Sequence, residues 1–360
     1  MRAFFRRHLG VHSWALGVLA LFCVYWYGIS SPAAANAVSA VTQSVKDWYA
    51  GFWYLFPFSV VEWFYVAFIL GVCVWLAVLF HRLRTGQGHR GQIAYGGILG
   101  LACLCLTAYG LYCVGWGVNY YADGFQEKSG IYAQPVTVEE LERVTTRFVQ
   151  GLQETADRVQ RDEHGIFAAS RDDIFAASTA VYENLSEEFP FLRRTDRVPK
   201  RMVFSRLFSA MNFTGFYSPY TGESNLNVDS PACLLPANIS HELAHQRGIA
   251  SEQECNFLAI AAATSSDDVV YQYSGYLMGY IHLSNALYRA DPDRWGEVYA
   301  SLPEAVRADL RYHSAYWDQF EGPAATVSKA IYDSALKSYG QEDGIQSYGT
   351  VVDLLVAYYK

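Results

Sequence analysis

The sequence predicts a membrane α-helical part with three transmembrane helices, followed by a helix-rich α+β domain with one small sheet. Three observations lead there. Long apolar runs are confined to the first third of the chain, the charge balance reverses after them, and the rest carries apolar residues at helical spacing around one turn-rich stretch. Of 27 basic and 35 acidic residues, seven (Arg2, Arg6, Arg7, Lys46, Arg82, Arg84, Arg90) and two (Asp47, Glu62) lie in residues 1–116, a net charge of +5. The remaining 20 basic and 33 acidic residues make 117–360 net −13, which offers nothing to nucleic-acid phosphates. The lipid bilayer is an expected partner and nucleic acid is not.

The apolar runs cover residues 14–29, 63–80 and 93–115, and predict helices over about 14–30, 61–80 and 93–116. A helix needs about 20 mainly apolar residues to cross the hydrocarbon core. The first run is shorter, and the "SPAAANA" after it resembles a signal-peptidase site. Glu62 sits at an end of the second run, within reach of the interface. Arg2, Arg6 and Arg7 precede the first helix, and Arg82, Arg84 and Arg90 fill the loop between the second and third, whereas the intervening loop has only Lys46. The positive-inside rule then puts the N-terminus in the cytoplasm and residues 117–360 outside it, in a multi-pass protein of the cell membrane.

Within 117–360, Thr137 followed by Glu140 has the capping-box spacing and opens "LERVTTRFVQGLQETADRVQ", a long amphipathic helix. "SRDDIFAASTAVYENLSEEF" reads as a second helix opened by Ser170. "KRMVFSRLF" and "TGFYSPYTGESNLNVD" are the strand candidates. The rest reads as helix to Lys360, interrupted near Pro292, Pro303 and Pro323. Five cysteines lie in the apolar runs. Cys233 and Cys255 lie outside them and are either a disulfide, permitted in an oxidising compartment, or two buried thiols.

The chemistry-bearing stretch is "LPANISHELAHQRGIASEQECNF". Pro236 suits a first helical turn and Gly248 the position after the last. His241 and His245, four apart, project from one helix face as two ligands of one tetrahedral ion, with Glu242 placed as general base. With nine histidines in the chain, a chance H-E-x-x-H is expected about once in a hundred such sequences, so the motif carries weight. Ile239, Leu243 and Ala244 mark a partly buried helix, on which uncompensated histidines would be costly. A third ligand must follow. Glu252 falls in the first turn of the next helix with Asn256 one turn on as its outer partner, while Glu254 is the alternative and also has the capping-box spacing from Ser251. Tyr217, Tyr220 and Asn225, in the strand-like segment before the motif, are candidate substrate contacts by addition of an extended peptide to a sheet edge; an ordinary hairpin turning at Gly222 is the other reading. Tyr273 or Tyr276 is a candidate oxyanion donor. His282 and His313 read as packed or surface groups.

Glu252-x-x-Cys255-Asn256 resembles the E-x-x-A-[DN] element that supplies the third zinc ligand of gluzincin metalloproteases, departing from it in Cys255 and in the short gap after His245. The chain resembles more closely a bacterial membrane family catalogued as domain of unknown function 3810 (DUF3810). The matching blocks are "FPFSV", "WGVNYY", "GFYSPYTGESNLN", "HELAHQRGIASEQECNFLA", "YQYSGY" and "DGIQSYGTVVDLL". The resemblance implies a retained first helix and a zincin-like outer domain, and it supplies no substrate. The expected activity is that of a membrane-anchored metallopeptidase binding one Zn²⁺, with a peptide or protein substrate. The rival expectation is a sensor or scaffold domain that folds around zinc and cleaves nothing.

Overall fold

The computed structural model describes residues 2–86, 88–338 and 348–360. Residues 343–347 of the "DGIQSYGTVVDLL" block lie outside them. The chain divides into two units, Met1–Ala122 with Pro219–Gly222, and Asp123–Ser218 with Glu223–Lys360.

The first unit contains α1 (Arg2–Arg7), α2 (Leu9–Gly28), α3 (Pro32–Trp53), α4 (Val60–Thr85), α5 (Arg90–Gly115) and a 3₁₀ turn over Gly117–Tyr121. Helices α2, α4 and α5 are long and apolar enough to cross a membrane, with mean hydropathy 1.6, 2.4 and 1.9. Ile69, Leu70 and Val74 of α4 are each about 60% exposed, a surface suited to lipid rather than water. Helix α3 stands where the sequence reads as a loop. "SPAAANA" is its first turns: Ser31 caps it by accepting the Ala34 N–H at 3.2 Å, and Pro32 takes a first-turn position. Lys46 of α3 is buried, donating at 2.9 Å to the carbonyl of Gly115 at the end of α5 and lying over the Trp116 ring. The 3₁₀ turn packs on α3 and α5, so the unit runs past residue 116 to Ala122.

The second unit begins with α6 (Phe125–Ser129) and α7 (Val138–Thr155). Thr137 and Glu140 form the reciprocal capping box at the start of α7, at 3.2 and 3.1 Å. The second expected helix breaks into α8 (Arg171–Ala177), a 3₁₀ turn over Ser178–Ala180, and α9 (Glu183–Glu188). The break lets Tyr182 turn inward, where its hydroxyl donates to Ser240 O at 2.9 Å under the Arg247 guanidinium. In "KRMVFSRLF" only Lys200–Arg201 is a strand (β1); Ser205–Ala210 is helix α10. β2 (Gly215–Tyr217) and β3 (Ser224–Leu226) form a hairpin through Gly222, whose φ of +68° favours glycine. The order is β1-β3-β2, with β3 parallel to β1 and antiparallel to β2.

The remaining helices are α11 (Leu235–Gln246), α12 (Glu252–Ser265), α13 (Val269–Ala290), α14 (Pro292–Ala300), α15 (Glu304–Asp318), α16 (Pro323–Ser338) and α17 (Tyr348–Tyr359). α12 is the central element. Its Cys255 and Phe257 to Ala263 are all essentially inaccessible, because α11, α13, α17 and α9 pack around it. That explains an apolar run without amphipathic periodicity. Cys233 and Cys255 are buried free thiols.

Candidate metal centre

Helix α11 starts at Leu235 with Pro236 in its first turn and ends before Gly248, whose φ of +82° turns the chain toward α12. One face of α11 meets the small sheet. Strand alternation puts Gly215, Tyr217, Ser224 and Leu226 on the sheet face toward it. Ser224 Oγ donates to Glu242 O at 3.1 Å, and Gln246 Nε2 donates to Ser224 Oγ at 3.0 Å, clasping strand to helix at two successive turns. The last carbonyls are met by cations: Arg247 donates to Leu243 O at 2.9 Å while pairing with buried Asp196 at 2.8 Å, and Arg194 donates to Gln246 O. The polar letters after the second histidine thus fix the helix end.

His241, His245 and Glu252 converge, their donor atoms all lying within 4.8 Å of one another. Nε2 of His241 is 3.2 Å and Nε2 of His245 3.5 Å from the Glu252 carboxylate. Both rings are oriented from behind. Nδ1 of His241 lies 2.9 Å from Asn256 Oδ1, and Nδ1 of His245 lies 2.9 Å from Ile249 O. Oxygen partners on Nδ1 hold the Nδ1 proton, leaving Nε2 as the atom that faces Glu252 and that a metal would bind. The Cys255 sulfur also approaches His245 Nδ1, at 3.3 Å, and burial pushes this thiol up to about 11, so it remains protonated. Burial opposes charge on Glu252, yet His245 and His241 hold its carboxyl well below the usual range.

Glu242 is 4% exposed, and its Oε2 is buried without a hydrogen-bond partner among the described residues. Burial raises its pKa to about 7, against the opposing pull of His245 and His241. Its other face is closed by β2: a Cβ on Gly215 would come within 2.6 Å of Glu242 Oε1.

The two glutamates after Ser251 take different places. Ser251 accepts the Glu254 N–H at 3.4 Å, but the Glu254 side chain does not return to complete a capping box. It accepts the backbone N–H groups of Phe125 and Gln126 at 2.8 and 3.1 Å, at the start of α6. The alternative third ligand is therefore occupied elsewhere, and Glu252 is the glutamate that joins the histidines.

The tyrosines are redistributed. Tyr273, the candidate oxyanion donor, is not brought to the cluster: it is buried, stacked on Phe167, and donates to Asp309, which also receives Arg161 at 3.1 Å and the Phe167 N–H at 2.8 Å. Tyr276 packs against Phe148. The tyrosine that reaches the cluster is Tyr332 of α16, donating to Glu252 Oε1 at 2.7 Å, with its ring edge-on to Phe213. Eighty residues separate it from Glu252, and nothing local in the sequence marks it. His282 is half-buried close to His241, and desolvation lowers its pKa to about 4, with His241 adding to the effect. His313 accepts from Trp317 at 2.9 Å. Of the candidate substrate contacts, Tyr217 lies on β2. Asn225 lies on the opposite sheet face to α11, donating to Glu223 O at 3.1 Å, and Tyr220 belongs to the first unit, donating to Ala108 O at 3.1 Å.

No curated protein and no solved structure matches the chain. A family model described as "Protein of unknown function (DUF3810)" matches residues 41–356. A match over that much of the sequence establishes membership: the chain belongs to the DUF3810 family.

Proposed function

We propose that this protein is a membrane-anchored zinc metallopeptidase whose zincin-like domain lies outside the cytoplasmic membrane. The observation that carries the reading is the pairing of a three-donor cluster, His241, His245 and Glu252, with a neighbouring buried carboxylate that has an unpartnered oxygen. Two neutral imidazoles and one carboxylate are a donor set suited to catalytic zinc. Their rear hydrogen bonds already hold the rings in the required tautomer. Bound there, zinc supplies Lewis acidity that polarises a carbonyl and acidifies water.

The chain's own groups do the rest. Glu242 accepts a proton from the attacking water at Oε2 and returns it to the leaving amine, a cycle suited to a group poised near neutrality. Asn256 and Ile249 O keep the histidines from turning. Tyr332 steadies Glu252 by its hydrogen bond and is a positioning residue. β2, an edge of the sheet, sets a track for extended peptide beside Glu242. The arginines around α1 and between α4 and α5 support an orientation with the second unit outside the cytoplasm.

One contact also fits a second reading. The Tyr332 hydroxyl is bonded to Glu252 Oε1, a restraint on a ligand that a non-catalytic zinc site in a sensor or scaffold would equally use. Full-length protein analysed for zinc, with His241→Ala beside it and peptide hydrolysis measured on both, tests the two. Zinc and hydrolysis in the wild type alone support the peptidase; zinc without hydrolysis of any peptide supports the scaffold. Equal, negligible zinc in both proteins removes either reading.

A further inference from the structure

An independent feature lies in the first unit, where α4 and α5 line a half-open cavity of about 710 Å³ with the N-terminal segment. Its α4 wall is Gly71, Val74, Trp75, Val78, Leu79 and Arg82, spaced three and four apart along one helix face. The α5 wall, Gln92, Ile93, Gly96 and Gly97 with His89 just before the helix, follows the same rule. Both walls are apolar or side-chain-free over the part that would lie in hydrocarbon and become basic at one end. The α4 face runs about 16 Å from Gly71 to Arg82, the depth of one bilayer leaflet.

The basic end is completed by Arg7 and His8. Arg7 donates to Gln92 Oε1, and neither Arg7 nor Arg82 has an acidic partner among the described residues. Among the described residues no carboxylate lines the cavity. The His8 ring packs against Gly96 and its Nε2 is buried with no hydrogen-bond partner among the described residues. A basic head over an apolar trough matches a ligand with an anionic head and a hydrocarbon tail.

We propose that this cavity is a binding site for an anionic membrane phospholipid, with the phosphate held among Arg7, His8, Arg82 and His89 and an acyl chain lying between α4 and α5. A zwitterionic lipid carries an amine that this all-basic end repels, so the site discriminates by headgroup charge.

The test uses full-length protein reconstituted in nanodiscs of equal phosphatidylglycerol and phosphatidylethanolamine, then extracted into detergent, washed and weighed by native mass spectrometry. Wild type is expected to retain phosphatidylglycerol at least tenfold over phosphatidylethanolamine. Arg7→Gln with Arg82→Gln is expected to abolish the preference. Arg84→Gln, whose guanidinium lies over the Phe80 ring outside the cavity lining, is expected to keep it. Val78→Trp, which fills the trough without altering charge, is expected to lose bound lipid of both kinds. Equal retention of the two lipids by wild type overturns the proposal, as does a preference that survives in the double variant. Loss of the preference in Arg84→Gln would also overturn it, by showing that bulk surface charge suffices.

Discussion

The carboxylate of Glu254 receives the backbone N–H of Phe125 at 2.8 Å, 129 residues away in sequence. Two residues earlier, the carboxylate of Glu252 faces the Nε2 atoms of His241 and His245. A single helical turn, the first of α12, therefore separates a structural anion, set at the N-terminus of α6, from one that can hold a cation.

Glu252→Gln is expected to lose metal, because a neutral amide replaces the anionic donor, and in chelator to lose also the stability that pairing with His241 and His245 contributes. Glu254→Gln should keep the metal and lose about 1–3 kcal/mol of stability, the cost of weakening charge-assisted bonds to buried N–H groups. Zinc content and chelator-treated thermal melts on both variants give the answer. Zinc lost from Glu254→Gln and kept by Glu252→Gln would reverse the assignment.

Glu242→Gln keeps the side-chain shape and removes the proton acceptor. Zinc content should be unchanged, with hydrolysis reduced about 10²–10⁴-fold. Full activity toward a peptide that wild type cleaves would rule out Glu242 as the base.

The same substitution should change how stability depends on pH. In metal-free protein, burial raises Glu242 to about 7. A carboxyl raised on folding is protonated in the folded state at pH values where the unfolded chain has already released its proton. Its stabilising effect is full below the unfolded pKa, near 4.3, and is lost as pH climbs to about 7. In chelator, wild type should therefore lose more stability than Glu242→Gln between pH 5 and 8. Parallel denaturation midpoints across that interval would remove the buried, uncompensated carboxylate from the account.

Tyr332→Phe and Asn256→Ala each remove one partner of the converging groups. Each is expected to weaken zinc affinity about 10–100-fold with little change in folding. Competition against a chromogenic chelator reads the affinity directly; unchanged constants for both variants would show that these bonds do not tune the donors.

A reporter fused after Lys360 should be active only outside the cytoplasm, and one placed between Arg84 and Arg90 only inside. Cytoplasmic activity of the first fusion would overturn the proposed orientation.

What could be read from sequence follows the range of the interactions. The motif helix, its Pro236 start, its Gly248 end and the single-face placement of His241 and His245 depend on neighbours within a turn or two, and sequence periodicity registers them. First-turn geometry favours Glu252 over Glu254, but the reason Glu254 stands apart is Phe125, which no local pattern connects to it. The same distance hid Tyr332 and left Tyr273 a candidate, since the anchor of Tyr273, Asp309, lies 36 residues further on. Helix α3 escaped because "SPAAANA" matches both a cleavage signal and an N-cap with a first-turn proline. The extra break between α8 and α9 turns on Tyr182 reaching Ser240, again a tertiary bond.

Gly215 fixes a phase relation. Its backbone lies against Glu242, so strand β2 and the base share one frame of reference. A peptide annealed to that edge can slide only in units of its own pleat: a one-residue step exchanges the side chains facing α11 for those facing away, and a two-residue step restores them. If β2 is the track, preferred cleavage points along a repetitive substrate should recur at every second bond, so that the product ladder carries the period of the sheet.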